Sequence, residues 1–107
     1  MRRAAVYENN ILAGVLEQTD KGEFIFRYDD NYFADLSRPA ISLTLPKEKQ
    51  EYRSRFLFPF FFNMLSEGAN KRIQCMKYKI DERDHFGLLL ATANKDTIGS
   101  VTVRKLG

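Results

Sequence analysis

Apolar and polar positions alternate along the first third of this chain and then change period. Ala4 to Glu17 reads as a strand, a tight turn at Glu8-Asn9-Asn10 and a second strand from Ile11 to Leu16, because Asn9 and Asn10 tolerate the positive φ of short hairpin turns. Thr19-Asp20-Lys21-Gly22 is the next turn. Phe24, Phe26 and Tyr28 then alternate with Glu23, Ile25 and Arg27, which predicts a third strand with one aromatic face and so an antiparallel meander. Asp29-Asp30-Asn31 supplies a cap for a short helical turn over Tyr32 to Leu36, broken by Ser37-Arg38-Pro39. Ile41, Leu43 and Leu45 alternate with Ser42 and Thr44 up to Pro46, a period of two that predicts a strand with the three aliphatic residues facing the core. The charged run Lys47 to Glu51 reads as a solvated loop.

The rest of the chain is organised around Phe56 to Arg72. Five of the nine phenylalanines fall between Phe56 and Phe62. On a helix, Leu57, Phe60, Phe61, Met64 and Leu65 share one face, and Phe58 and Phe62 widen the stripe until little polar surface remains. Pro59 fits only the first turn, so the helix starts at about Phe58 or opens with a looser turn capped by Ser54. Ser66-Glu67-Gly68 ends it, Gly68 being able to adopt the left-handed conformation that closes a helix. The run is shorter than the ~20 apolar residues of a membrane span. It reads as a core helix with an apolar surplus, which a domain of this size has little interior to absorb.

A second helix is expected from Asn70 to Ile80, with Ile73, Cys75, Met76 and Ile80 as its apolar face. A third opens at Asp81 or Asp84, carries Phe86, Leu88, Leu89 and Leu90, and ends at Asn94-Lys95-Asp96. Ile98 to Val103 returns as a strand, and Arg104 to Gly107 is a tail. The fold class is α+β: a small antiparallel, partly barrel-like sheet packed against about three helices, in a single domain over residues 1–107.

At 107 residues and 44% hydrophobic, the chain can fold without disulfides or metal. Its single cysteine, Cys75, has no internal partner, and Met1 to Asn10 holds no apolar stretch of signal-peptide length, so a reducing, cytoplasmic location is expected. The net charge of +3 is dispersed over separate pairs, Arg2-Arg3, Lys71-Arg72, Lys77 and Lys79, and Arg104-Lys105, which argues against direct nucleic-acid binding.

No chemistry-bearing constellation stands out. His85 is alone and does not make a metal site. Cys75 reads as a packed side chain, and the carboxylate clusters Asp29-Asp30 and Asp81-Glu82-Asp84 fall where helix caps are needed. Phosphate-binding glycine loops, kinase His-Arg-Asp or Asp-Phe-Gly sequences and Gly-x-Ser-x-Gly elbows are lacking. No catalytic activity, cofactor or metal is expected.

Three segments in order, Ile41-Ser42-Leu43-Thr44-Leu45-Pro46, then Leu57-Phe58-Pro59-Phe60-Phe61-Phe62-Asn63-Met64-Leu65-Ser66-Glu67-Gly68, then Phe86-Gly87-Leu88-Leu89 with Asp96-Thr97-Ile98-Gly99-Ser100-Val101, resemble the amino-terminal domain of HipA-type serine/threonine kinase toxins. Ser66 stands where that family usually has proline, and Asn94-Lys95 where it usually has Gly-Arg. Family proteins normally continue into a kinase core, which this chain lacks. It resembles the stand-alone, HipS-like component of split toxin–antitoxin systems. That resemblance implies binding to a separate HipA-like serine/threonine kinase core, as antitoxin or regulatory subunit, beside a helix-turn-helix DNA-binding partner. If the chain is a piece of a longer kinase, it implies a regulatory domain in cis.

A loop displayed by a rigid helix is a common recognition site, so Ser66, Glu67, Gly68, Ala69 and Lys71 are the candidate partner-binding residues, with the Arg2-Arg3 edge of the sheet as the other position. A reading from a different class is a small ligand-binding or enzymatic domain with a pocket under the Phe-rich helix.

Overall fold

A computed structural model describes residues 2–65, 68–81, 83–92 and 100–106. The elements run β1 (Arg2–Glu8), β2 (Ile11–Gln18), β3 (Phe24–Tyr28), α1 (Asp30–Ala34), β4 (Glu51–Ser54), α2 (Pro59–Phe62), α3 (Gly68–Tyr78), α4 (His85–Thr92) and β5 (Val101–Leu106). The strands form one antiparallel sheet in the order β4-β3-β2-β1-β5. The α+β class holds; the sheet is open, not barrel-like, with β4 and β5 as its edges.

The meander forms where the turn chemistry demands it. Asn9 and Asn10 have φ of 49° and 65° and join β1 to β2, while Gly22, at φ 84°, closes the turn to β3. Residues paired across strands share a face, so the register defines two sides. On the inner side, Val6, Gly14, Tyr28 and Val103 form one row, and Ala4, Leu16, Phe26 and Tyr52 the next. On the outer side one row reads Arg104, Ala5, Val15, Arg27 and Glu51, and the next Leu106, Arg3, Glu17, Ile25 and Arg53. The helices and loops cover the inner side, where Phe24, Phe26, Tyr28, Phe61, Phe86, Leu88 and Leu89 join one core. Phe26 meets the Tyr28 ring edge-on at 4.9 Å and the Phe61 ring at 5.7 Å.

Gly14 has no room for a side chain, since a Cβ there would sit 2.4 Å from the Arg27 carbonyl oxygen and 2.9 Å from the Phe26 ring. Asp29 caps α1 as its sequence predicts, accepting from the Asn31 and Tyr32 amides.

Further expectations are corrected. Ile41 to Pro46 is not a strand. The chain arches around the Tyr28 phenol, which accepts from the Ile41 amide at 3.1 Å and donates to the Leu45 carbonyl, while the Leu45 amide turns back to the Ser42 carbonyl at 3.1 Å. Ile41 and Leu45 are buried at the feet of the arch, and Leu43 at its top is 99% exposed. Burial pushes the Tyr28 pKa up to about 12.

The charged run is a loop from Lys47 to Gln50, as expected, but its last residue, Glu51, opens β4. As an edge strand it tolerates Glu51 and Arg53 pointing to water, while Tyr52 donates to the Pro46 carbonyl at 2.6 Å and packs on the core.

The central helix is one turn. Phe58 is its N-cap and Pro59 its first residue, as expected, but beyond Asn63 the amides of Met64 and Leu65 bond three residues back, to Phe61 and Phe62. The tightened coil seats Met64 and Leu65 in the core, while Phe56, ahead of the helix, is exposed. Gly68 therefore opens α3 and does not close α2. Arg104 to Leu106, read as a tail, lies in β5 beside β1. The expected end of the third helix at Asn94-Lys95-Asp96, and the start of the last strand at Ile98-Gly99, lie outside the described residues.

Candidate partner-binding surface

The one-turn α2 and the helices after it present apolar side chains that the core does not take. On α3, Cys75 is buried and Ile73 and Met76, three residues apart and so on a shared face, are 62% and 80% exposed. Of the predicted residues, Gly68, Ala69 and Lys71 form the first turn of this helix, with Ala69 one turn ahead of Ile73. Ser66 and Glu67 lie outside the described residues.

A second apolar group lines an open cleft of about 290 Å³ between the start of α2 and the start of α4. Phe24, Leu57 and Phe86 make its buried lining, and the exposed Phe56 and half-exposed Phe62 its rim, with Arg55 and Arg83 beside them. Phe62 meets the His85 ring edge-on at 5.0 Å. The sequence places Phe62, Ile73 and Met76 on apolar helix faces and Phe56 at the head of the Phe-rich run. The signal for their exposure was the surplus itself, more apolar side chains on consecutive positions than one small core can surround.

At the back of the cleft Arg2 joins three elements. Its guanidinium grips the Asp84 carboxylate with two bonds, 3.0 and 2.7 Å, donates to Gln18 at 3.0 Å, and lies 5.3 Å from the centre of the Phe86 ring. Asp84 in turn accepts from the Gly87 amide at 3.0 Å, capping α4. The hydrogen bonds from Arg2 hold the Asp84 carboxyl below its usual range, helped by the Gly87 amide and the Arg2 charge and opposed by partial burial. A Cβ on Gly87 would fall 2.3 Å from Asp84 Oδ2, so glycine leaves room for this clamp.

An open cleft thus lies beside the Phe-rich turn, and two of its polar lining groups, Gln18 and Asp84, are both engaged by Arg2. Among the described residues no three His, Cys, Asp or Glu side chains are placed to hold a metal ion, and no helix is long and apolar enough to cross a membrane. What the surface offers is exposed aromatic and aliphatic side chains next to arginines, the composition of a protein contact. The Arg2-Arg3 position is corrected in one respect. β1 lies inside the sheet between β2 and β5, and the pair divides, Arg2 clamping α4 and Arg3 facing water on the outer side.

A family model described as the HipA N-terminal domain matches residues 4–104. A solved structure, "N-terminal domain of HipA toxin", superposes with a TM-score of 0.74 at 27% identity, covering 100% of this chain and 94% of that one. An uncharacterized protein of Haemophilus influenzae (strain ATCC 51907 / DSM 11121 / KW20 / Rd) is 29% identical over 105 residues, 98% of this chain and 93% of the relative.

Proposed function

The chain belongs to the HipA N-terminal domain family, and from that premise we propose that it is a non-catalytic binding protein that docks on a separate HipA-like serine/threonine kinase core and restrains or regulates it. The observation that carries this reading is the likeness to the amino-terminal domain of a HipA toxin over the whole of this chain. A domain of that kind, carrying exposed Ile73 and Met76 on α3 and an aromatic-rimmed cleft beside α2, suits recognition of another protein surface. The binding surface centres on Ser66, Glu67, Gly68, Ala69 and Lys71, the last three in the first turn of α3. A helix-turn-helix DNA-binding protein is the further partner of the assembly, and the chain itself works without cofactor, nucleic acid or membrane, in the cytoplasm.

Affinity capture from a native lysate, followed by mass spectrometry, is expected to recover a HipA-like kinase. Capture that repeatedly yields no kinase overturns the proposal. With the purified kinase, Ala69→Asp is expected to weaken binding tenfold or more, about 1.4 kcal/mol, while the circular dichroism spectrum stays that of the parent. Unchanged affinity in a folded Ala69→Asp, Lys71→Glu double variant moves the contact away from α3. Calorimetric titration with Mg-ATP is expected to give no heat of binding, and micromolar affinity would contradict a non-catalytic role.

A further inference from the structure

The outer side of the sheet carries a charge pattern that neither the core nor the α3 surface accounts for. Its two central rows hold Arg3, Arg27, Arg53 and Arg104 against Glu17 and Glu51, a net charge of +2, and contain no lysine. Between the arginines, Ala5, Val15 and Ile25 make an apolar floor; none of the three belongs to the core cluster. Val15 and Ile25 stay half-buried, in a shallow groove of about 310 Å³ walled by Arg3, Arg27 and Arg53 and, between them, Glu17 and Glu51.

The internal pairing of these arginines is loose. Arg3 stands 3.9 Å from Glu17, Arg27 stands 3.3 Å from Asp30 and Arg53 stands 3.2 Å from Glu51, and the three arginine side chains are 53–61% exposed. Exposed pairs of this kind contribute little to folding. A guanidinium has five donors in a planar fork, so each retains the geometry that grips a second carboxylate. Arg104 places its guanidinium carbon 5.0 Å from the centre of the Tyr7 ring.

We propose that this outer sheet face is a second docking surface, separate from the α3 side, and that its occupant is an acidic protein segment in which carboxylates alternate with apolar side chains. Carboxylates would meet the arginine forks while apolar side chains settle on Val15 and Ile25. Arginine in place of lysine favours such a contact, because arginine is enriched and lysine depleted at protein interfaces. Glu17 and Glu51, set among the arginines, repel a continuous phosphate backbone, which separates this surface from a nucleic-acid site.

The test is an amide-shift titration of the whole protein by two-dimensional nuclear magnetic resonance. The probe is an alternating glutamate–leucine peptide long enough to cross three strands. Saturable shifts centred on Ala5, Val15 and Ile25 are expected, and an Arg27→Glu, Arg53→Glu double variant should weaken binding by roughly tenfold or more. Should the reversal disturb folding, Arg27→Gln, Arg53→Gln removes the charge without introducing repulsion and should show a smaller loss. The proposal is overturned by absence of saturable shifts, by shifts confined to α3 and the cleft, or by equal binding of an alternating lysine–leucine peptide. Tighter binding of oligothymidylate to the same amides would make the face a nucleic-acid site instead. Because the kinase proposal is tested at Ala69 and Lys71, either can fail while the other stands.

Discussion

Phe24, Phe26 and Tyr28 on one side of β3 are at most 8% exposed, whereas Ile25 and Arg27, their immediate neighbours, face the uncovered side. The two faces of the same sheet are built by different rules. The inner face is packed against rings and aliphatic side chains, so a lost atom there leaves a void. The outer face is arginine and glutamate over a thin apolar floor, so a lost atom there is replaced by water. Stability should reside in the first and recognition in the second and on α3.

The sharpest test of that division is Phe61→Ala. Phe61 is fully buried, with the rings of Phe26, Phe58 and Phe60 at 5.7, 6.4 and 5.3 Å, and its truncation is expected to cost about 3–5 kcal/mol in chemical denaturation. A melting temperature within a degree or two of the parent would place Phe61 at the surface. Gly14→Ala adds an atom to the same face against the Arg27 carbonyl, and about 1–3 kcal/mol of destabilisation is expected from the forced backbone shift.

Smaller is the effect of acid on the Arg2–Asp84 clamp. The Asp84 carboxyl is held below its ordinary value of 3.8, so its contribution is present above that pH and fades as pH falls through the lower folded-state value. Both side chains are more than a third exposed, which keeps the contribution under about 1 kcal/mol. Asp84→Asn should therefore flatten the acid limb of the stability curve slightly; an unchanged limb would mean the clamp is screened out. The smallest effect belongs to a residue that sequence periodicity assigns to the core: Leu43→Ser, at the top of the arch, should shift stability by no more than ~0.5 kcal/mol. A loss of 2 kcal/mol or more would restore the strand reading of that segment.

What the sequence by itself determined is the part of the fold governed by local rules. The Asn9-Asn10 hairpin, the Gly22 turn, the aromatic face of β3, the Asp29 cap, Pro59 at the first position of α2 and the helical spans of α3 and α4 follow from backbone preference and from periods of two and 3.6. The ordered motifs also carried the family. Tertiary structure decided the segments whose local pattern admits two outcomes. Ile41 to Pro46 has strand periodicity, but its Ile41 amide and Leu45 carbonyl are bound by the Tyr28 phenol, thirteen and seventeen positions away and invisible to any local window; β4 carries Glu51 and Arg53 because they fall on the outer side of the sheet, beside Arg27 and Ile25. The Phe-rich run had more apolar surface than one core could surround, and the chain resolved this by shortening the helix and leaving Phe56 and Phe62 at the rim of a cleft. The gathering of Arg3, Arg27, Arg53 and Arg104 on one face depends wholly on strand register, because residues this far apart in the chain become neighbours only when five strands pair.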